Sequence, residues 1–221
     1  MTTTSTTTAA RGADRVGAAA GIAFVVLNVI SAFAPGTPPA SDASTAKVVA
    51  YFTDHGGGIK AQLVLGAVGM IGLLWWFGSL SRLFTRPGEE RSPLLTVAAI
   101  GLGFGLAVVM IGACFASAAA QRIDVLGDSS HIFFTLSLVA SAAAGFGIAT
   151  FLLAAGVLTQ RTNALPVWTS YLAWLSGATF LVGGLAAVSD ANAYNLCGLA
   201  AFLLWCAWIV VVSTHLWREQ A

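Results

Sequence analysis

The sequence predicts an all-α fold, a polytopic bundle of six transmembrane helices with a short external amphipathic helix. Of its 221 residues, 57% are apolar and only 9% are charged, whereas a soluble domain carries roughly 25% charged residues. Two stretches, residues 61–81 and 92–121, contain no charged side chain. Each exceeds the ~20 residues that cross a hydrocarbon core about 30 Å thick. The chain is therefore predicted to be an integral membrane protein.

The first span is predicted at residues 16–34. Residues 1–15 are rich in Thr and Ser and lack apolar periodicity, so we expect a disordered cytoplasmic tail there. Arg11 and Arg15 before an apolar run imitate a secretory signal. Because the run is 19 residues long and Pro35 follows it, an uncleaved transmembrane helix is the better interpretation.

The external amphipathic helix is predicted at about residues 44–54. Three prolines within residues 35–39 stop the first helix, because proline fixes φ and lacks a backbone donor. Val48, Val49 and Phe52 follow at helical spacing, and a run of three glycines comes next. We interpret this segment as a surface helix that turns its apolar face toward the bilayer or the bundle. An ordered loop is the alternative.

The remaining spans are predicted from the apolar runs between short polar loops. Pro93 and Pro166 occupy first-turn positions, which proline tolerates. The transmembrane domain covers residues 16–217, with six predicted spans at about residues 16–34, 61–80, 94–120, 132–158, 166–188 and 194–212.

The distribution of positive charge predicts the orientation. Arg82, Arg86 and Arg91 lie in a short loop between two apolar runs. In the predicted topology, seven of the ten Lys and Arg residues lie on the side of this loop and three on the other side. Short loops rich in Lys and Arg stay in the cytoplasm. We therefore expect a multi-pass protein of the cell (plasma) membrane with cytoplasmic N- and C-termini.

Two kinds of residue within the spans are candidates for binding. Five tryptophans at or below the predicted midplane are candidates for lining an apolar pocket open to the cytoplasmic half: Trp75, Trp76, Trp174, Trp205 and Trp208. Packing between helices or facing lipid is the alternative for them. Asn28 is the only amide deep within a span. Because a buried unpaired amide is costly, we expect an interhelical polar contact, with a polar substrate contact as the alternative.

Acidic and histidine side chains from three loops form a candidate polar cluster on the outer face: Asp54, His55, Asp124, Asp128, His131 and Asp190. Imidazoles and carboxylates bind divalent cations or polar ligands. The spacing of these residues matches no metal motif, so we predict no metal or other cofactor. A solvated, mildly acidic rim is the alternative.

Small residues at a four-residue spacing mark helix interfaces, because they let backbones approach closely in lipid. Gly17 with Gly21 and Gly101 with Gly105 follow this pattern. The expected partners are membrane lipids and, through one such face, another protein or a second copy of the chain. No basic stripe is present, so nucleic-acid binding is not expected.

The function classes are narrowed mainly by what the spans lack. No Asp, Glu, Lys, Arg or His lies in the middle of a predicted span, and such residues commonly serve ion-coupled transport. No Gly-x-Ser-x-Gly, His-Glu-x-x-His or P-loop motif occurs. The leading prediction is a non-enzymatic accessory or scaffold bundle. The alternatives are a passive transporter or a protein that binds lipid or a small apolar molecule, and then a membrane enzyme that uses the outer polar cluster.

Several segments carry a family resemblance. They are the Arg-flanked first span, the proline-rich residues 35–39, the Ala-Lys-Val-Val-Ala-Tyr-Phe sequence at 46–52, and the Leu-Pro-x-Trp sequence at 165–168. In these features the chain resembles small six-helix bacterial membrane proteins, of actinobacterial type, whose function is unknown. The resemblance implies the same six-helix fold and no assigned activity.

The predicted orientation is open to a direct test. Reporter fusions after Gly88, Arg161 and Ala221 should read as cytoplasmic, because the Arg-rich loops lie on that side. Fusions at Asp54 and Asp128 should read as external. A reversed reading at any of these positions would contradict the orientation drawn from the charges.

Overall fold

The computed structural model describes residues 4–85, 92–189 and 192–218, and for residues 4–14 and 192 it describes the backbone alone. This part of the chain is α-helical without strands, and six of its helices are long and apolar enough to cross a membrane. The predicted six-span bundle is confirmed. The helices are α1 (Thr4–Phe33), α2 (Thr45–Leu83), α3 (Pro93–Gln121), α4 (Ile123–Leu126), α5 (Ser130–Thr162), α6 (Trp168–Gly184) and α7 (Asn192–Arg218).

The six long helices form a closed ring in which sequence neighbours pack together. α1 packs on α2, α2 on α3, α3 on α5, α5 on α6 and α6 on α7, and α7 closes the ring on α1. The connections therefore lie at two ends of the bundle. We call the end with residues 34–44, 122–129 and 185–189 the proline-loop end, and the end with residues 84–85 and 163–167 the Arg82 end.

Helix α2 differs from the prediction, because the amphipathic segment and the second span form one helix. It has 39 residues, a length of about 58 Å at about 1.5 Å per residue. The glycine run does not end it. A Cβ on Gly58 would collide with the carbonyl oxygen of Ala34, so glycine lets α2 pass close to the end of α1. The prediction of a separate surface helix is therefore wrong.

Residues 45–60 of α2, which precede the predicted second span, form what we call the α2 extension. Its apolar face is where the spacing predicts it. Val48 and Phe52 are fully buried, and Val49 is half-buried. The face packs on the end of α3 and the start of α5, in a small core with Ala119 and Phe134. The face is therefore turned to the bundle rather than to the bilayer.

The other helix ends follow local rules. Pro93 is the first residue of α3, as predicted, and the Ser92 hydroxyl accepts a hydrogen bond from the Leu94 N–H at 3.3 Å. Asn163 closes α5 in the left-handed conformation, with φ 52°. Helix α1 begins at Thr4, so its backbone is helical through most of the segment that the sequence predicts to be a disordered tail. The predicted cytoplasmic residues Arg86 and Arg91 lie outside the described residues.

Glycines hold the tightest helix interface, between α3 and α5. A Cβ on Gly147 would lie 2.5 Å from the Gly105 nitrogen and 2.7 Å from the Gly101 oxygen, so the backbones touch there. The Gly17–Gly21 face likewise packs inside the bundle, against Ser79 and the ring of Trp76 on α2. The Gly17–Gly21 and Gly101–Gly105 faces therefore serve packing within one chain.

Matched glycine variants on α3 test this interface. Leucine at Gly101 would overlap the α5 backbone, since a Cβ there already lies 2.9 Å from the Gly147 oxygen. We expect Gly101→Leu to lower the free energy of unfolding by about 1–3 kcal/mol, the usual cost of overpacking. Gly103→Leu is the control, because a Cβ at Gly103 meets no atom within 4 Å. SDS titration of the purified protein measures both, and equal losses would contradict the assigned interface.

Candidate functional site

The bundle contains a cavity of about 580 Å³, which we call the main cavity. All six spans contribute to its wall, through Phe24, Met70, Leu106, Ile148, Phe180 and Phe202 among others. On α7 its lining runs from Tyr194 to Trp205, a depth of about 16 Å at about 1.5 Å per residue. It therefore reaches from the proline-loop end into the interior of the bundle.

A second recess of about 270 Å³, the side cavity, lies between α1 and α2 on one side and α3 and α5 on the other. Gly66, Gly112 and Ala116 are among its lining residues, and their small size leaves the gap between the helices unfilled. The two cavities adjoin, because they share the lining residues Asn28, Pro38, Met70, Val109, Leu138 and Ser141.

The polarity of the main cavity changes along its depth. Hydroxyl and amide side chains line it near the proline-loop end: Ser41, Thr135, Ser189, Tyr194 and Asn195. Its inner end is formed by the rings of Phe24, Phe180 and Trp205. No Asp, Glu, Lys, Arg or His of the described residues lines either cavity. The cavities therefore suit an uncharged molecule with a polar and an apolar part.

A strap formed by residues 34–44 lies over both cavities, and we call it the proline strap. Its residues 38–41 line the main cavity. The strap is seated on α2 at Gly36, where a Cβ would lie 3.0 Å from the His55 ring. Gly36 has a φ of +68°, a conformation that favours glycine. The His55 ring in turn stacks on Tyr51, with 5.1 Å between centroids.

Tyr51 connects the strap to the side cavity. It lies on the α2 extension, ten residues before the predicted second span, and lines the side cavity. Burial raises the pKa of its hydroxyl above the ordinary value of 10.0, because the charged form loses hydration. A phenol is neutral at physiological pH at its ordinary pKa already, so Tyr51 adds no charge to this lining.

Asn28 does not make the interhelical hydrogen bond that the sequence predicts. Its Nδ2 donates to the Phe24 carbonyl, four residues earlier on the same helix, at 3.1 Å. A local carbonyl of this kind is always within reach of a short polar side chain on a helix. Across the interface Asn28 packs on Gly69, where a Cβ would lie 2.5 Å from Nδ2. Asn28 thus touches α2 by packing and lines both cavities.

The tryptophans do not form the predicted pocket at the Arg82 end. Trp76 and Trp208 are fully buried and pack edge to face, with centroids 5.6 Å apart. Trp174 donates to the Leu153 carbonyl at 3.2 Å, and Trp75 is 66% exposed on the outside of the bundle. Only Trp205 of the five lines a cavity. The other four pack in the core or between helices, or lie on the outside of the bundle. The rotation of each helix about its axis determines whether its tryptophan points into the bundle or out of it.

Trp205 forms the inner end of the main cavity. Its ring is 3% exposed and lies between Phe24 and Phe180, at centroid distances of 5.3 and 5.9 Å. Its Nε1 has no hydrogen-bond partner among the described residues, and the same holds for Trp76. By contrast, Nε1 of Trp208 donates to the Thr169 carbonyl at 3.1 Å.

The predicted outer polar cluster does not come together in the described part of the chain. No group of three or more His, Cys, Asp or Glu side chains there is placed to hold a metal ion. Asp54 and His55 are exposed on α2. Asp124 and Asp128 are exposed in α4 and the turn after it, His131 is half-buried, and Asp190 lies outside the described residues.

Comparison with protein-family models, with curated proteins and with solved structures finds no match to this chain. Inference about its function therefore rests on its own residues and on the geometry of the two cavities.

Paired tryptophan variants test the assignment of the aromatic core. Trp208→Phe removes the donor to Thr169 and part of the ring that contacts Trp76. We expect it to lower the free energy of unfolding by about 1–3 kcal/mol, through the lost hydrogen bond and the space left behind. Trp75→Phe should stay within about 0.5 kcal/mol of the parent protein, as exposed positions usually do. Unfolding followed in detergent distinguishes the two, and similar losses would contradict the assignment.

Proposed function

We propose that this protein binds one uncharged apolar or amphiphilic molecule in the main cavity. The observation that carries the proposal is a recess of about 580 Å³ walled by all six spans and lined by no charged side chain of the described residues. Ligand cavities of about 300–1,000 Å³ that are mostly apolar, with a few polar groups, are typical of small-molecule sites. Membrane lipids and other bilayer-dissolved molecules have this chemistry.

The polarity gradient supports an amphiphile over a purely apolar molecule. A polar group fits beside Thr135, Tyr194 and Asn195, near the proline-loop end. An apolar chain fits along the inner wall toward Phe180 and Trp205. Burying such a chain against apolar side chains is favourable wherever its other end keeps its hydrogen bonds.

The charge distribution supports a cell-membrane location with the Arg82 end in the cytoplasm. In that orientation the main cavity faces the outer side of the membrane, and the proline strap lies over it there. The ligand would then enter from the outer leaflet or from the space outside it. Binding of a lipid or small apolar molecule, or its passive passage, are the activities this arrangement favours.

The other predicted functions draw less support from the geometry. The accessory or scaffold role stays a prediction, and the glycine faces assigned to it pack inside the chain. A membrane enzyme built on the outer polar cluster would need Asp54, Asp124 and His131 to converge, and the described residues contain no such group. Ligand binding is therefore the function that the site supports best.

Filling the main cavity tests the proposal. A Cβ on Gly198, which lines this cavity, meets no atom within 4 Å, so Gly198→Leu occupies the space without straining the helix. We expect mass spectrometry of the gently extracted parent protein to find a bound lipid or other amphiphile. In Gly198→Leu the bound amount should fall about tenfold, since overpacking a site costs about 1–3 kcal/mol.

Gly78→Leu is the matched control. It also has no atom within 4 Å of a Cβ, and it lines neither cavity. It should retain the bound molecule at the level of the parent protein. A parent protein that carries no ligand and gains none when neutral lipid is added would overturn the proposal, as would equal retention by Gly198→Leu.

A further inference from the structure

Asn28 lies where the two cavities meet. It lines both of them, together with the apolar side chains of Met70, Val109 and Leu138. Ser141 also lies at this junction, and its hydroxyl donates to the Ser137 carbonyl at 2.7 Å. An amide in apolar surroundings is unfavourable unless its donors and acceptor are paired. The side-chain amide of Asn28 therefore needs hydrogen-bond partners at this junction.

The hydrogen bonding of Asn28 is incomplete. One N–H of Nδ2 donates to the Phe24 carbonyl at 3.1 Å. Among the described residues no other group hydrogen-bonds to this side chain. A side-chain amide carries two N–H donors and an acceptor oxygen. One N–H and Oδ1 are therefore left for a molecule in the cavities.

Helix α2 holds the amide in this position. Because Gly69 has no side chain, Nδ2 occupies the space that a Cβ would take, 2.5 Å from the Cβ position. The hydrogen bond to the Phe24 carbonyl holds the amide from its own helix, α1. The orientation of the amide is therefore fixed by contacts with both α1 and α2. Polar groups that are fixed in advance recognise a ligand at low entropic cost.

We propose that Asn28 recognises the hydroxyl or carbonyl group of an uncharged amphiphile whose apolar part lies in the main cavity. This inference rests on the proposed ligand-binding function and names the chemical class of the ligand. A hydroxyl satisfies both free groups of the amide, since it donates to Oδ1 and accepts from Nδ2. A charged headgroup is disfavoured, because neither cavity contains a countercharge among its lining residues.

Three probes of equal chain length test the proposed chemical class of the ligand: 1-hexadecanol, hexadecane and palmitate. Binding to the purified full-length protein in detergent is measured by competition against tritiated 1-hexadecanol. The parent protein should prefer the alcohol over the alkane by about three- to tenfold, as expected for one net hydrogen bond. Palmitate should bind more weakly than the alcohol above the pH at which it ionises.

Asn28→Leu keeps the number and branching of the side-chain heavy atoms and removes the polar ones. It should still bind hexadecane and lose the preference for the alcohol. Gly69→Ala is the second variant, because its Cβ displaces Nδ2 without removing the amide. It should reduce the same preference, and Gly78→Leu should leave it unchanged.

The outcomes separate the two proposals. Binding of both alcohol and alkane by the parent protein, without a preference between them, would overturn the role of Asn28 and leave the ligand-binding function standing. Palmitate binding as tightly as the alcohol would overturn the uncharged class. An equal loss of alcohol and alkane binding in Asn28→Leu would show that Asn28 shapes the cavity and does not recognise a polar group. Failure of all three probes to bind would count against both proposals.

Discussion

The close approach of α3 and α5 is the contact on which the rest of the bundle depends. In lipid no hydrophobic effect draws helices together, so association relies on close packing. At Gly147 the two backbones touch, because neither Gly101 nor Gly105 carries a side chain. Helix α5 also packs on α6 and α2. The packing of α5 on α3 therefore fixes the positions of two helices that line both cavities.

Glycine has two opposite effects in this bundle. In the helix interfaces it brings helices close together, and in the main cavity it leaves space unfilled. Gly145 and Gly184 pack against α6 and the Phe146 ring, which brings α5 and α6 close. Gly198 faces open space and leaves volume unfilled. At the Arg82 end Trp76 and Trp208 fill the equivalent space. The bundle is thus packed solidly at one end and recessed at the other.

The spans and the presence of a helix interface at Gly101 and Gly105 could be predicted from the sequence, because apolar length and glycine spacing are local properties of a helix. That α5 is the helix packed there could not be predicted in this way. The continuity of α2 could not be predicted, since a run of glycines in a sequence usually indicates the end of a helix. Only the contact with Ala34 shows that a glycine is needed there to let α1 and α2 approach each other. Which of the candidate tryptophans line a pocket and which pack or face outward could not be predicted either, because the outward rotation of Trp75 depends on the neighbouring helices. The cavities were not predicted either, since unfilled volume is set by packing between distant residues such as Asn28 and Gly198.

The unbroken course of α2 has a mechanical consequence. No proline interrupts its 39 residues, and sharp kinks in helices usually need proline or a comparable break. The end that seats the proline strap, at His55, and the end that carries Arg82 therefore belong to one rod. Rigid elements of this kind carry displacements between distant sites. A displacement of the strap that tilted α2 as one body would therefore also move Arg82 at the other end of the bundle.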